Sequence, residues 1–176
     1  METISVHASR DYEVRIGSGL LTRTGELSAP LIKGRHAMIV SDSNVWPLYG
    51  SMVQASLEDA GFQVDHFIFP AGEQSKNTDT LVQLLTCLAQ QGMTRSDGVF
   101  ALGGGVTGDM AGLAASLYLR GIPCVQLPTS LLSVVDSSVG GKTAVDLPEG
   151  KNLVGTFTQQ AIAYTLFAST PSMFIH

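Results

Sequence analysis

The chain has 176 residues, a formal net charge of −5 from 10 basic and 15 acidic residues, and a mean hydropathy of +0.23. Charged residues make up only 14%, against about 25% in an average globular protein, which excludes intrinsic disorder and favours a buried, sheet-rich interior. The acidic balance, with no basic run, also argues against nucleic-acid binding, because phosphate contacts need clustered Lys and Arg.

The sequence shows no targeting or membrane signal. It opens Met1-Glu2-Thr3 without a basic or apolar leader. Its most apolar stretch, residues 110–119, is far shorter than the roughly 20 residues that span a bilayer. Cys87 and Cys124 form no CxxC pair and indicate no oxidising compartment. We therefore expect a cytoplasmic protein with neither a membrane nor a nucleic-acid partner.

The apolar residues alternate between strand and helix periods along the chain. The strands predicted from them are 2–7, 12–16, 37–40, 64–69, 99–102 and 124–127. The helices predicted from them are 20–27, 45–57, 81–88, 108–119 and a short one at 131–138. This alternation predicts an α/β fold, a Rossmann-like parallel sheet with helices on both faces, in which the first two strands form a small antiparallel element.

Polar residues follow four of the predicted strands. They lie at Asp42, at 72–76, at 103–109 and at Thr129-Ser130. Ligands of open parallel sheets bind beyond the carboxyl ends of the strands. We therefore expect these four loops to converge at one edge of the sheet.

Gly103-x-Gly105-x-x-Gly108 matches the dinucleotide-binding pattern, with a predicted strand before it and a helix after it. Backbone N–H groups at the helix start can hold a pyrophosphate, although such glycines also serve close packing alone. The acid that usually follows about 20 residues later is absent. Asp42 is therefore the candidate ribose ligand, with capping of the next helix as its alternative role.

Gly140-Gly141-Lys142-Thr143 is similar to the end of a phosphate-binding loop of nucleotide triphosphatases. That motif needs a glycine where this chain has Asp136, whose carboxylate would repel a phosphate. The segment also follows a predicted helix and not a strand. We reject a triphosphatase function.

The segment SVVDSSVGGKTAVD at 133–146, followed by Gly150-Lys151-Asn152-Leu153, resembles the 3-dehydroquinate synthase family. Further blocks of the same resemblance occur in the same order, at 12–20, 72–76, 103–109 and 127–130. It covers the chain to about Phe157. Related sugar-phosphate cyclases share much of the pattern, so another cyclase substrate remains an alternative.

The resemblance implies a carbon–oxygen lyase of the shikimate pathway, in aromatic amino-acid biosynthesis. Its substrate would be the sugar phosphate 3-deoxy-D-arabino-heptulosonate 7-phosphate. A ring alcohol is oxidised by NAD, phosphate is eliminated, the ketone is reduced and the opened ring closes, so that NAD is regenerated. The family also uses a divalent metal, zinc or cobalt, and the resemblance implies a homodimer.

The resemblance also assigns roles to residues. It places NAD on Asp42, Gly72, Glu73, Gln74, Lys76, Gly103, Gly104, Gly105, Val106, Thr107, Gly108, Asp109, Thr129, Ser130, Lys142 and Lys151. It places Asp136, Lys142, Lys151 and Asn152 at the nicotinamide and substrate, and Arg120 at a neighbouring subunit's phosphate site. Lysine ammonium groups suit phosphate or carboxylate. The alternatives are a solvated Lys151 and a helix-terminal charge at Arg120.

The family's second half, a largely helical domain, supplies the Glu and two His ligands of the metal and has no counterpart here. His7, His36, His66 and His176 form no helical ligand pair, so we predict no metal site in this chain.

We expect an NAD-binding domain over 1–157 and a divergent apolar tail over 158–176. Residues 159–175 carry no charge, and our hypothesis is a truncated chain with a reading-frame change or premature end near residue 158. Exposed apolar surface there would favour self-association. We expect the chain to bind NAD but to be inactive alone, because the Lewis acid is missing.

Two further functions stay open from the sequence. One is a non-catalytic NAD-binding module that pairs with a full-length relative. The other is the corresponding half of an iron-dependent polyol dehydrogenase, which shares the Gly-Gly-Gly turn but lacks the Ser-Ser-Val-Gly-Gly-Lys-Thr block.

Overall fold

The computed structural model describes residues 2–7, 12–134 and 141–157, and the backbone of 162–166. The strands of this part are β1 (Glu2–Val6), β2 (Tyr12–Gly17), β3 (His36–Asp42), β4 (Gln63–Phe69), β5 (Gly98–Gly103), β6 (Cys124–Pro128), β7 (Lys142–Leu147), β8 (Gly150–Phe157) and β9 (Ile162–Leu166). The α-helices are α1 (Thr24–Ser28), α2 (Trp46–Asp59), α3 (Thr78–Gln90) and α4 (Gly105–Leu117). Short 3₁₀ turns lie at Leu21–Arg23, Glu73–Ser75 and Tyr118–Arg120.

Within the described residues, seven strands form one sheet in the order β1-β2-β9-β6-β5-β3-β4. Neighbouring strands run parallel except β1 and β2, which are antiparallel. The predicted Rossmann-like sheet with an antiparallel N-terminal pair is therefore confirmed. The pair is not a separate element, however, because β9 joins β2 to β6.

Helices cover both faces of the central strands. On one face Ile39, Phe100 and Leu102 pack against α1 and α2. On the other face Met38 and Val99 pack against α3 and α4. Successive strand residues point to opposite faces, so strands buried on both sides are apolar throughout, as β5 is.

Helix α4 begins at Gly105, three residues before the predicted start at 108. Gly104 is its N-cap, and its carbonyl oxygen accepts from the N–H of Gly108 at 3.0 Å. Gly103 therefore ends β5, Gly104 forms the tight turn between strand and helix, and Gly105 begins the first helical turn. The helix ends at Leu117 and not at 119, because Tyr118 has an extended ψ of 125°. Leu119 and Arg120, with φ of 49° and 65°, also lie outside the helical region.

The pattern of the sequence predicted no element between 139 and 157, but β7 and β8 form an antiparallel hairpin there. It packs beside α4, where the Thr156 hydroxyl lies 2.8 Å from the Ser116 hydroxyl. Val145 is fully buried in the core that contains α3 and α4. The hairpin thus adds a layer to one face of the sheet.

Strand β9 lies beyond residue 157, where the sequence places the end of the NAD-binding domain. Its backbone pairs with β2 on one side and with β6 on the other. The division of the chain at 157/158 stays a prediction, and the rest of 158–176 lies outside the described residues. No helix in the described ranges has the length and hydropathy of a membrane-spanning segment.

Candidate functional site

A cavity of about 600 Å³ opens at the carboxyl ends of the central strands. Its lining residues are Asp42, Ser43, Asn44, Val45, Leu48, Tyr49, Ala71, Gly72, Gly104, Gly105, Val106, Thr107, Thr129 and Ser130. All four loops predicted to converge contribute to this wall. The convergence inferred from the order of strands and loops is therefore confirmed.

Asp42 ends β3 and connects the cavity wall to the turn before α2 and to the first turn of α4. Its Oδ1 accepts from the N–H groups of Asn44 and Val45 at 2.9 and 3.0 Å. Its Oδ2 accepts from the hydroxyl of Thr107, on the first turn of α4, at 3.3 Å. Asp42 therefore stabilises the turn before α2, but it does not cap the helix itself: the N-cap is Val45, and no described side chain caps it. The Ser43 hydroxyl instead accepts from the N–H of Ala71 at 3.0 Å.

The amino end of α4 forms part of the cavity wall through Gly104, Gly105 and Val106. In the described part of the chain, no side chain caps this helix end. The first N–H groups of a helix have no partner within the helix and carry partial positive charge. This end of the cavity therefore favours an anion.

The glycines around this turn serve different structural purposes. A Cβ on Gly103 would lie 2.3 Å from the hydroxyl of Thr107, and one on Gly108 would lie 2.8 Å from Oε1 of Gln126. These two allow close packing of the helix on the sheet. A Cβ on Gly104 would meet only Ser130, at 3.5 Å, so the space there belongs to the cavity.

The loop between β4 and α3 supplies another part of the wall, through Ala71 and Gly72. Gly72 has φ of +119°, a conformation that only glycine adopts readily. Gln74 stabilises this loop by donating from Nε2 to the carbonyl oxygen of Ala71 at 2.9 Å. Asn77 then caps α3 by accepting from the N–H of Thr80 at 2.9 Å.

Lys76, at the end of this loop, is buried, with 6% of the residue exposed. Its Nζ donates to Oδ2 of Asp109 on α4 and to Oδ1 of Asn152 on β8, the latter at 2.6 Å. Burial raises the pKa of Asp109; the Lys76 ammonium opposes this, and the charges of Glu73 and Asp146 add to it. One buried ammonium thus links the loop, α4 and the hairpin.

Lys151 lies at the outer side of the same group. Its Nζ donates to Oε1 of Glu73 at 3.0 Å, and both side chains are exposed. This hydrogen bond and the charge of Glu73 raise the pKa of Lys151. The structure therefore brings together the predicted site residues Glu73, Lys76, Asp109, Lys151 and Asn152.

Other predicted site residues lie apart from this group. Lys142 begins β7 opposite Phe157, at the end of the hairpin away from Lys151. Arg120 follows α4 in a left-handed turn. Asp136 lies outside the described residues.

Several functional residues escaped the sequence reasoning. Leu48 and Tyr49 fall on an apolar helical stripe that predicted core packing, but they line the cavity, and Leu48 is 53% exposed. Their position in the first turn after Asp42 was the available signal. Asp146 accepts from the backbone N–H of Asn152 at 2.7 Å, a contact that no local pattern predicts.

The described histidines lie in other contacts. Nε2 of His36 lies 2.7 Å from Oδ2 of Asp65. The ring of His66 packs on the ring of Trp46, with the ring centroids 4.6 Å apart. Within the described ranges, no group of three or more His, Cys, Asp or Glu residues could hold a metal ion. These residues do not fit a divalent metal.

A family model described as the N-terminal part of 3-dehydroquinate synthase matches residues 66–170. The chain belongs to the 3-dehydroquinate synthase family. A 3-dehydroquinate synthase of Xanthomonas oryzae pv. oryzae (strain PXO99A) is 52% identical over 157 residues, which are 88% of this chain and 42% of that protein. The chain thus spans less than half the length of the curated 3-dehydroquinate synthases that it matches.

Solved structures of sugar-phosphate cyclases share the fold. A 2-deoxy-scyllo-inosose synthase complexed with carbaglucose-6-phosphate, NAD⁺ and Co²⁺ is 29% identical, with a TM-score of 0.83 over 98% of this chain and 46% of that one. The 2-epi-5-epi-valiolone synthase of Streptomyces hygroscopicus subsp. jinggangensis 5008, with NAD⁺ and Zn²⁺ bound, is 31% identical. Its TM-score is 0.79, over 93% of this chain and 44% of that one.

Proposed function

We propose that this chain forms the NAD-binding domain of a 3-dehydroquinate synthase, a lyase that eliminates phosphate from a sugar phosphate. The observation that carries the proposal is the convergence of Asp42, Gly72, Gly105 and Thr129 on one cavity at the amino end of α4. The cofactor bound to the sugar-phosphate cyclases of the same fold supports NAD. A cytoplasmic location and a homodimer belong to the same proposal.

Different parts of the cavity suit different parts of NAD. The N–H groups of Gly105 and Val106 would bind the pyrophosphate at the amino end of α4. The Asp42 carboxylate would accept from ribose hydroxyls. Leu48 and Tyr49 offer an apolar wall for the adenine. When bound, NAD supplies a hydride acceptor, and the protein supplies position and charge.

The group of Glu73, Lys76, Asp109, Lys151 and Asn152 would hold the nicotinamide end and the substrate. Lys76 and Asn152 are fixed by the contacts described above, whereas Lys151 is exposed and paired with Glu73. An anionic substrate group can replace Glu73 as the partner of Lys151. Asp136 would complete this region, Lys142 would contribute from the other end of the hairpin, and Arg120 would reach the phosphate site of a neighbouring subunit.

The proposal includes no metal step by this chain, because the described residues do not fit a divalent ion. We infer that the 176-residue chain alone binds NAD without eliminating phosphate. Phosphate release on addition of the sugar phosphate, NAD and zinc to the purified chain would overturn that inference.

A cyclase of another substrate is the second candidate, favoured by the likeness to the inosose and valiolone synthases. The identity to 3-dehydroquinate synthases is higher, at 52% against 29% and 31%. We therefore propose 3-dehydroquinate synthase substrates first. Binding of 3-deoxy-D-arabino-heptulosonate 7-phosphate to the NAD-loaded chain in preference to glucose 6-phosphate would support this order.

The experiment that tests the NAD site is a calorimetric titration of three proteins. The unaltered chain should bind NAD, and Gly104→Leu should lose at least tenfold in affinity because its side chain fills the cavity. The control Ser51→Leu, on the exposed side of α2, should bind like the unaltered chain. Equal binding by Gly104→Leu would refute the site, and NADH accumulation with a polyol would favour a dehydrogenase.

A further inference from the structure

The β7–β8 hairpin is attached to the loop before α3 through the backbone of Asp146. Its N–H donates to the carbonyl oxygen of Lys76 at 2.9 Å, and it forms an isolated parallel bridge with Asn77. The pairing of the hairpin shifts register between Val145 and Leu147. Asp146 therefore lies in a bulge, a feature that redirects a residue from its own ladder.

The side chain of Asp146 holds an unusual backbone conformation on the next strand. Its Oδ1 accepts from the N–H of Asn152 at 2.7 Å. Asn152 has φ of +56°, which is uncommon for residues other than glycine and is best tolerated by Asn and Asp. The hydrogen bond to a carboxylate is of the stronger, charge-assisted kind.

Asn152 in this conformation is a partner of the buried lysine. Its Oδ1 accepts from Nζ of Lys76 at 2.6 Å, and the same ammonium contacts Asp109. A continuous series of contacts therefore runs from Asp146 through Asn152 and Lys76 to α4. The amino end of that helix lines the cavity.

We propose that Asp146 is a positioning residue of the NAD and substrate site, which acts by fixing Asn152 and, through it, the Lys76 ammonium. The inference rests on the proposed function, because that function assigns Lys76 and Asn152 to the ligands. It gives a role to Asp146, the last residue of the 133–146 motif, to which the resemblance assigns none and which does not line the cavity.

The test is a double-mutant cycle read by NAD affinity in the full chain. Asp146→Ala and Asn152→Gly should each weaken NAD binding about tenfold, the effect of losing a hydrogen bond to a charged group. The double variant should bind no more weakly than Asn152→Gly alone, because both changes remove one series of contacts. If the loss of NAD affinity in the double variant equals the product of the two single losses, the proposal is overturned. Unchanged NAD binding by Asp146→Ala would also overturn it.

Two further variants separate position from charge and from folding. Asp146→Asn keeps an acceptor oxygen and should stay within about threefold of the unaltered chain; a tenfold loss would overturn the proposal even if Asp146→Ala does not fold. Glu149→Gln removes a charge from the exposed turn of the same hairpin and should change nothing.

A readout independent of NAD distinguishes this proposal from the proposed function. If the unaltered chain does not bind NAD, the proposed function fails. The backbone amide signal of Asn152 in a nitrogen–proton NMR spectrum then tests the positioning role of Asp146. It should move in Asp146→Ala and stay in Glu149→Gln; an unmoved signal in Asp146→Ala overturns the positioning role.

Discussion

Replacing Lys76 by Met would remove the cation that neutralises the largely buried carboxylate of Asp109. The Lys76 side chain is 7% exposed and that of Asp109 is 18% exposed. Met fills a similar volume, so packing changes little. The carboxylate of Asp109 and Oδ1 of Asn152 would both lose a charged donor.

The cost follows from the burial of the remaining charge. Breaking a buried ion pair by removing one partner costs about 3–5 kcal/mol. Asp109 keeps some exposure to water, so we expect about 3 kcal/mol at pH 7, near the lower limit. That is a large share of the roughly 5–15 kcal/mol that stabilises a typical domain.

The stability lost in Lys76→Met should depend on pH in a definite direction. Burial already raises the pKa of Asp109, and loss of Lys76 raises it further. A carboxyl group whose pKa is higher in the folded than in the unfolded chain reduces stability above its unfolded pKa, about 4. The deficit of Lys76→Met is therefore present at neutral pH and shrinks as the pH falls through the raised folded pKa.

The assay is urea unfolding of the variant and the unaltered chain at pH 7 and at about pH 4.5. Lys33→Met, at an exposed lysine, is the matched control and should stay within about 0.5 kcal/mol. Adding Asp109→Asn to Lys76→Met should restore most of the loss. The reasoning is refuted if both lysine variants are equally stable at pH 7, or if acid leaves the deficit unchanged.

Three other outcomes are expected. Asp97→Ala should lower the free energy of unfolding in urea by about 2–3 kcal/mol, because Asp97 is 5% exposed and accepts three hydrogen bonds. The control Asp59→Ala, at an exposed residue, should change it by almost nothing. Gly25→Ala should lower the melting temperature, since its Cβ would lie 1.9 Å from a carbonyl oxygen of α2; an unchanged temperature contradicts this. Burial raises the pKa of Cys124 to about 12, so a thiol reagent at pH 8 should label Cys87 and spare Cys124 until the chain unfolds, as peptide mapping would show.

Local signals in the sequence predicted most of the sheet. The central strands are short apolar runs bounded by turn residues, and the glycines after β5 mark the tight turn into α4. The loops at Asp42, Gly72 and Thr129 meet because the geometry of parallel sheets requires it. These features depend on neighbours along the chain, which a sequence displays directly.

Contacts between distant segments could not be predicted in this way. The bond between Lys76 and Asn152 joins residues separated by 76 positions. The hairpin was missed because its strands are rich in polar and small residues, such as Lys151 and Gly155, and its register contains a bulge. The place of β9 between β2 and β6 is likewise set by pairing across the whole chain.

The position of β9 also has a consequence for how the sheet folds. Glu13 pairs with Ile162, and the two are 149 residues apart. In the described sheet the β1–β2 ribbon therefore meets the other strands only through β9, which lies far from it in the sequence. Closing so long a loop is slow. Attachment of this ribbon to the central strands is thus expected to be a late event in folding.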